Sequence, residues 1–246
     1  MVALYCNGQI WSDIQAIVFD KDGTLENSHP YLQQLTLARI EQIETRVTGQ
    51  GQALQRAFGL KANHLDPAGL MAVGSRRENL IAAAAYIAET GCSWFEALTM
   101  ADTCFQGADQ QVQANRETCP IFPSGRALIE QLIPTGVKLA IVSAARTASV
   151  ERFVHDHGLG PHFSLLLGSD QGRSKPDPAL YQWACEQMDV EPRYTVMIGD
   201  AQGDITMAKK AGAQAVIAVQ WPHLPPVELM GMDAVVQDLL EINPIP

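Results

Sequence analysis

Two aspartates, Asp20 and Asp22, directly follow an apolar run of β-forming residues, Ala16–Phe19, and precede the turn-forming Gly23. An apolar run that ends at a turn signal is typical of a buried strand, so the two acids are predicted at the edge of a parallel sheet. Residues two apart on a strand tend to point the same way. Two neighbouring carboxylates repel each other unless a cation or a shared proton lies between them. The pair therefore indicates metal binding, acid/base chemistry, or both.

The segment Asp20-Lys21-Asp22-Gly23-Thr24 resembles the DxDGT signature of the haloacid dehalogenase-like hydrolases, a superfamily dominated by magnesium-dependent phosphatases. Three later segments resemble the other motifs of that superfamily, in the same order along the chain. They are an apolar strand that ends in Ser143, Lys175 just before a helix started by proline, and a strand that runs into the GDxxxD sequence of Asp200 and Asp204. The four motifs extend from residue 16 to residue 204.

The resemblance implies a role for each residue of these motifs. Asp20 would attack phosphorus and form an aspartyl-phosphate, and Asp22 would act as general acid and then as general base. Ser143 and Lys175 would hold the phosphoryl oxygens. Mg²⁺ is the implied cofactor, and its ligands would be Asp20, Asp200 and the backbone carbonyl of Asp22.

Three further residues have two interpretations each. Asp204 is either a direct or an outer acidic partner of the metal site, or a helix N-terminal acid that interacts with the macrodipole. Arg76 and Arg77 lie in the segment 73–80, which loosely resembles the serine-arginine cap loop of β-phosphoglucomutases. They would then bind a distal anionic group of the substrate. Alternatively, both arginines are first-turn helix residues that face solvent.

Alternating strands and helices must position these residues. After residue 120 the pattern predicts βα units, with strands over Lys138–Ser143, Leu165–Leu167, Thr195–Ile198 and Ala215–Val219. Together with the strand before Asp20, they predict a doubly wound, Rossmann-like parallel-sheet core of residues 1–25 and 120–246. The proline-rich tail after Trp221 is expected to lie along the surface.

Residues 26–119 show helical periodicity instead. Helices are predicted over Tyr31–Val47, Gln52–Phe58, Glu78–Glu89 and Trp94–Val112, and Ser93 with Glu96 is expected to form a capping box. In the resembling family an insertion at this point is a mobile cap over the active site. We therefore expect residues 26–119 to be an all-helical cap, with hinges near residues 25–28 and 117–120.

The composition is that of an ordinary globular protein, with 246 residues, 47% of them hydrophobic and 18% charged. No segment has the apolar length that crosses a bilayer, and the N-terminus lacks a signal-peptide pattern, so we expect a cytoplasmic protein that does not bind membranes. A net charge of −10 argues against nucleic-acid binding. Five cysteines without a close CxxC pair argue against a disulfide framework or a structural zinc site.

The second acid, Asp22, distinguishes among the chemistries of the resembling superfamily. Dehalogenase and phosphonate-cleaving members typically lack it, so its presence indicates C–O–P chemistry. The GDxxxD segment resembles that of phosphoglycolate phosphatase-like members. The predicted function is Mg²⁺-dependent hydrolysis of a small phosphomonoester, with a small phosphorylated metabolite as the partner and the oligomeric state left open. The alternatives are a β-phosphoglucomutase-like sugar-phosphate mutase and a non-catalytic regulatory or binding member of the same fold.

Overall fold

The computed structural model of the chain describes residues 2–61, 64–114 and 117–245. The chain divides into two compact units, which are Met1–Asn27 with Pro120–Pro246, the α/β unit, and Ser28–Cys119, the helical unit. Among the described residues, no helix combines the length and the apolar character that crossing a bilayer requires.

The regular elements of the described residues follow in chain order. The strands are β1 (Val2–Cys6), β2 (Gln9–Ile14), β3 (Ala16–Phe19), β4 (Leu60–Lys61), β5 (His64–Leu65), β6 (Lys138–Val142), β7 (Leu165–Leu167), β8 (Thr195–Gly199), β9 (Ala215–Val219), β10 (Ala234–Val236) and β11 (Asn243–Ile245). The helices are α1 (His29–Glu44), α2 (Gly51–Phe58), α3 (Leu70–Val73), α4 (Arg76–Ala88), α5 (Trp94–Gln111), α6 (Pro123–Leu132), α7 (Thr147–Asp156), α8 (Pro178–Met188) and α9 (Gln202–Ala211).

The main sheet of the α/β unit has six strands in the order β10-β9-β8-β3-β6-β7, and all neighbouring strands are parallel. Side chains of β3 alternate between two apolar clusters. Ile17 and Phe19 pack in a cluster with residues of α6 and α7, whereas Ala16 and Val18 pack in one with residues of α8 and α9. Helices therefore cover both faces, which explains why the strands are apolar throughout. The predicted doubly wound parallel sheet is confirmed.

The ends of three strands determine where the candidate residues lie. Strand β6 ends at Val142, one residue earlier than predicted, and β8 continues to Gly199, one residue later than predicted. As a result, Asp20, Ser143 and Asp200 are each the first residue after a strand.

A second, antiparallel sheet in the α/β unit has the order β11-β1-β2 and was not predicted. Asn7 and Gly8 join β1 to β2 with φ angles of 48° and 82°, the positive values that a type I′ hairpin turn requires. The amide of Asn7 donates to the carbonyl oxygen of Val235 at 2.5 Å, and that of Gln9 donates to the carbonyl oxygen of Asp233 at 2.8 Å. The hairpin is therefore tied to β10, at the edge of the main sheet.

The expectation that the tail after Trp221 lies along the surface is wrong. Strand β10 belongs to the main sheet, and β11 pairs with β1. The ring of Trp221 is buried and stacks on Phe122 with the centroids 3.9 Å apart. Its indole N–H donates to the carbonyl oxygen of Gly23 at 2.7 Å. Proline is compatible with β11 because that strand lies at a sheet edge, where Pro244 needs no N–H partner.

The helical unit has its own apolar core, to which Ile43, Phe58 and Phe105 contribute. The four predicted helices are confirmed, with ends within three residues of the predicted ones. The capping box of Ser93 and Glu96 is also confirmed. A second capping box, of Ser75 and Glu78, starts α4 two residues before the predicted start. The prediction of an all-helical unit is wrong in one respect, since β4 and β5 pair as antiparallel strands.

Candidate active site

Three predicted site residues meet at the carboxyl edge of the main sheet. Asp20, Ser143 and Asp200 follow β3, β6 and β8, and β3 lies between the other two strands. The backbone N–H of Asp20 donates to the carbonyl oxygen of Ile198 at 2.8 Å, which continues the β3–β8 pairing to the first catalytic candidate. This edge is where open α/β sheets bind ligands.

Four charged side chains form a cluster at this edge, in which Asp20 and Asp204 are buried and Asp200 is half-buried. Carboxylate oxygens of Asp20, Asp200 and Asp204 lie within 4.8 Å of one another. The Nζ atom of Lys175 forms ion pairs with Asp20 and, at 2.5 Å, with Asp204. The side chains of Lys175 and Asp20 are each only 7% exposed. The structure thus brings together residues of the first, third and fourth motifs, as the sequence led us to expect.

The cluster holds more negative than positive charge. Burial raises the pKa of Asp20 to about 7, although Lys175 opposes this effect and Asp204 adds to it. Burial and repulsion from Asp20 and Asp204 raise the pKa of Asp200 well above its usual range. Three carboxylates therefore share one ammonium, and a divalent cation would relieve their repulsion. Because Mg²⁺ prefers carboxylate and carbonyl oxygens and keeps several waters, this donor set fits Mg²⁺.

Two glycines make room for the acids. Gly23 has a φ of 79°, and a Cβ atom there would lie 2.1 Å from Oδ2 of Asp200. A Cβ atom on Gly199 would lie 2.5 Å from Oδ2 of Asp204. Any side chain at either position would displace a carboxylate, so both glycines are required by the site and not only by local turn geometry.

Asp204 lies at a helix N-terminus and also contacts the charged cluster, so it has features of both interpretations given above. Its Oδ2 atom accepts a hydrogen bond from the backbone N–H of Ala201 at 3.1 Å, as an acid at a helix N-terminus does. Its Oδ1 atom forms the ion pair with Lys175. Lys175 also contacts Asp20, so this lysine links Asp204 to the rest of the site. Direct metal ligation by Asp204 stays a prediction.

Asp22 lies next to Ser143. The hydroxyl of Ser143 donates to Oδ2 of Asp22 at 3.4 Å and accepts from the backbone N–H of Ala145 at 3.0 Å. Ser143 is not the N-cap of the following helix, because that position belongs to Arg146. The structure therefore brings both of these predicted residues to the same edge, with part of the Asp22 side chain, 21%, exposed.

Sequence reasoning missed three residues of the first motif loop. The hydroxyl of Thr24 donates to Oδ1 of Asp200 at 3.2 Å. Lys21 is buried and pairs with Asp22 at 2.6 Å and with the buried Glu26. Burial lowers the pKa of Lys21, but the two carboxylates raise it above its ordinary value; burial raises the pKa of Glu26 to about 7 against the effect of Lys21. Thr24 belongs to the recognised motif but had no role assigned to it, and the sequence signal for the ion pair was a lysine between the motif acids with a glutamate after them.

The two arginines of the helical unit differ from each other. Arg76 contacts Asp102 at 3.0 Å and Asp109 at 3.2 Å, and its side chain is only 16% exposed. Arg77 is exposed. The interpretation of Arg76 as a solvent-facing residue is therefore wrong, because two acids of α5 hold it. Substrate binding by Arg76 and Arg77 stays a prediction.

Comparison with known proteins identifies the family. Residues 14–212 match the haloacid dehalogenase-like hydrolases. The chain is 26% identical over 136 residues to phosphoglycolate phosphatase of Vibrio parahaemolyticus, which covers 54% of this chain and 60% of that protein. It is 25% identical over 235 residues to phosphoglycolate phosphatase of Rhodospirillum rubrum, which covers 93% of this chain and 89% of that one.

Solved structures share the fold. A predicted phosphoglycolate phosphatase from Haemophilus somnus superposes with a TM-score of 0.69 at 21% identity, over 93% of this chain and 96% of the other. In sequence, the chain spans about 60% of the length of the first curated relatives that it matches. The match over residues 14–212 contains all four motifs and every residue of the site cluster. The chain therefore belongs to the haloacid dehalogenase-like hydrolases.

Proposed function

We propose that the protein is a Mg²⁺-dependent phosphatase that hydrolyses a small phosphomonoester through an aspartyl-phosphate on Asp20. The observation that carries the proposal is the cluster at the carboxyl edge of the sheet, in which three carboxylates lie together and Lys175 pairs with two of them. Phosphoryl transfer needs positioning and charge compensation more than it needs covalent machinery. Membership of a hydrolase family supports the same conclusion.

In the first half-reaction, a carboxylate oxygen of Asp20 forms a bond to phosphorus while the bond from phosphorus to the ester oxygen breaks. Asp22 gives its proton to the departing alkoxide, which leaves as the alcohol. Mg²⁺ held by Asp20, Asp200 and the backbone carbonyl of Asp22 would neutralise phosphoryl oxygens when bound. Lys175 and Ser143 hold the remaining phosphoryl oxygens by charge and by a hydroxyl hydrogen bond.

In the second half-reaction, water attacks phosphorus and the bond to Asp20 breaks, which releases inorganic phosphate and restores the carboxylate. Asp22, now ionised, takes the proton of the attacking water. This cycle needs Asp22 to exchange protons with groups that arrive from solvent. The partial exposure of the Asp22 side chain supports that role. Asp20 is buried, as is expected of a nucleophile that must be shielded from water.

The substrate is proposed to be a small phosphorylated metabolite. Phosphoglycolate is the first compound to test, because two curated relatives are phosphoglycolate phosphatases. The helical unit is proposed to act as the cap that selects the substrate, with Arg76 and Arg77 as its basic residues. A cytoplasmic location and the absence of nucleic-acid and membrane partners stay predictions from the sequence.

A sugar-phosphate mutase is the second candidate. The resemblance of the segment 73–80 to a mutase cap loop favours it, whereas the ion pairs of Arg76 with Asp102 and Asp109 hold that residue within the helical unit. The position of Asp204 beside Lys175 favours the phosphatase, since the mutases usually lack the corresponding acid. The products separate the two activities: a phosphatase releases inorganic phosphate, and a mutase returns an isomeric sugar phosphate.

The test is a panel of small phosphomonoesters that includes phosphoglycolate, p-nitrophenyl phosphate and a sugar 1-phosphate, assayed with Mg²⁺. We expect release of inorganic phosphate from at least one alkyl ester and from the aryl ester. The Asp20→Asn variant, purified in parallel, measures any contaminating phosphatase. Conversion of the sugar 1-phosphate without phosphate release would favour the mutase, and no turnover of any ester would contradict the proposal.

A further inference from the structure

Lys21 is a cation inside the first motif that the proposed reaction does not use. It stands between Asp20 and Asp22 in sequence, and only 2% of its surface is exposed. Its ammonium lies 5.9 Å from the centroid of the buried Phe153 ring, so the lysine stem passes through apolar surroundings. A buried ammonium is stable only with opposite charges in contact. The role of Lys21 therefore depends on which residues supply those charges.

The ammonium of Lys21 is held by two carboxylates of the same loop. Its Nζ atom lies 2.6 Å from Oδ1 of Asp22 and forms a second ion pair with Glu26, whose surface is 6% exposed. The backbone closes the loop around this contact. The carbonyl oxygen of Lys21 accepts from the N–H of Glu26 at 2.8 Å, and the carbonyl oxygen of Glu26 accepts from the N–H of Gly23 at 2.9 Å. Lys21 and Glu26 thus form an ion pair within a closed loop, and we call this pair the clamp.

The clamp acts on one oxygen of Asp22. Lys21 contacts Oδ1, whereas Oδ2 lies on the side of the Ser143 hydroxyl. A general acid must keep its proton-bearing oxygen within hydrogen-bond reach of the leaving group, and an aspartate that rotates about its side-chain bonds loses that geometry. With Lys21 on Oδ1 and the Ser143 hydroxyl on Oδ2, the carboxylate of Asp22 is restrained at both oxygens, and Oδ2 is directed to the edge of the sheet where Ser143 lies.

We infer that Lys21 and Glu26 are positioning residues that hold the carboxylate of Asp22 for acid/base catalysis, an inference that rests on the proposed phosphatase function. Stability alone gives no reason for the pair, because apolar residues of similar volume in place of a buried ion pair are often neutral or stabilising. A methionine would fill the space of Lys21 and pack on Phe153. The charge therefore has a use that packing does not supply.

The test compares Lys21→Met with the wild type on two substrates, the alkyl phosphate hydrolysed fastest and p-nitrophenyl phosphate. We expect kcat for the alkyl ester to fall at least about tenfold with little change in KM, because its leaving group needs a proton from Asp22. For p-nitrophenyl phosphate we expect a fall of less than about threefold, since phenolate needs little protonation. The control is Lys209→Met, which removes the same charge from an ion pair with Asp233 in the same unit. It should change neither rate.

If Lys21→Met does not fold, the double variant Lys21→Met/Glu26→Gln removes the ion pair without leaving Glu26 as a buried acid that has lost its cation, and we expect the same ratio of losses. Equal losses on both substrates, or no loss on either, overturn the positioning role while the phosphatase proposal stands. A wild-type protein that hydrolyses neither ester overturns both.

Discussion

Two ionic clusters of this protein differ in their balance of charge. The site cluster has three carboxylates and one ammonium, from Asp20, Asp200, Asp204 and Lys175. The helical-unit cluster has two guanidinium groups and two carboxylates, from Arg39, Arg76, Asp102 and Asp109. In the second cluster every cation contacts an anion at 3.0–3.2 Å.

This difference in charge balance supports ligand binding at the site cluster and a structural role for the helical-unit cluster. A balanced cluster satisfies its charges internally, and Arg39 adds to this by lying 4.1 Å over the Phe105 ring. An excess of buried like charge is unstable unless an ion or a proton arrives from outside. The excess of carboxylates in the site cluster therefore supports the proposed metal site there.

The largest expected effect comes from removing the proposed nucleophile. Asp20→Asn should lower kcat for p-nitrophenyl phosphate by more than about a thousandfold, because an amide cannot form the covalent intermediate. The same change removes one charge from a self-repelling cluster, so Tm should stay level or rise. Steady-state assays and thermal denaturation check the two parts.

A matched variant in the balanced cluster is Asp109→Asn, which should lower Tm because it leaves Arg39 and Arg76 with fewer partners. If Asp20→Asn lowered Tm as Asp109→Asn does, the proposed contrast in charge balance would be wrong.

The next effect concerns Asp22, which lies beside the site cluster. Asp22→Ala should lower the rate on an alkyl phosphate by about a hundredfold to ten-thousandfold and the rate on p-nitrophenyl phosphate much less, because only the alkyl leaving group needs a general acid. The ratio of the two kcat values is the measurement. Identical losses on both esters would argue that Asp22 serves the metal and not proton transfer.

Mg²⁺ addition should stabilise the protein through the site cluster and not through the helical-unit cluster. Mg²⁺ at one hundred times its dissociation constant should stabilise the wild type by about 2.7 kcal/mol, seen as a rise in Tm that EDTA reverses. Asp200→Asn should lose most of this shift, since it removes one of the proposed ligands. Asp102→Asn, in the helical-unit cluster, is the control and should keep the shift. A Tm shift that survives Asp200→Asn would locate the metal elsewhere.

The smallest expected effect is in the arginine doublet. Arg76→Ala should cost about 1 kcal/mol of stability, because it removes hydrogen bonds to Asp102 and Asp109, whose side chains are 43% and 36% exposed and so are partly screened by solvent. Arg77→Ala, at an exposed position, should change stability by less than about 0.5 kcal/mol. Thermal denaturation compares the two.

The same two variants test the predicted role in substrate binding. A rise in KM for the best alkyl phosphate after Arg77→Ala, with p-nitrophenyl phosphate unaffected, would support binding of a distal group. A change in KM after Arg76→Ala without any loss of Tm would contradict its structural role.

The sequence was most informative where function and local structure coincide. Asp20, Ser143 and Asp200 end apolar strands, and an apolar run followed by a polar residue can be recognised without knowing the fold. The capping box of Ser75 and Glu78 and the Asn7-Gly8 turn were equally local signals. Both depend on residues that are close together in sequence, so a local pattern is sufficient to predict them.

Other features depend on contacts that no local pattern encodes. The bond from Trp221 to Gly23 joins residues 198 positions apart, and the proline-rich composition of the tail suggested a surface segment instead. The clamp of Lys21 on Asp22 depends on how the loop folds back at Glu26, since neighbouring residues of an extended strand would point apart. The sequence therefore predicted the motif residues but not the residues that hold them in position.

The hairpin at the start of the chain has a practical consequence for handling the protein. Strand β10 is the edge of the main sheet, and the amides of Asn7 and Gln9 occupy the carbonyl oxygens of Val235 and Asp233. An uncovered edge offers such groups to a strand of another molecule and promotes aggregation. Shortened or fused versions that lose β1 and β2 are therefore expected to precipitate even with every motif residue intact. Residues of the first hairpin therefore protect a sheet edge that lies more than 200 positions away in sequence.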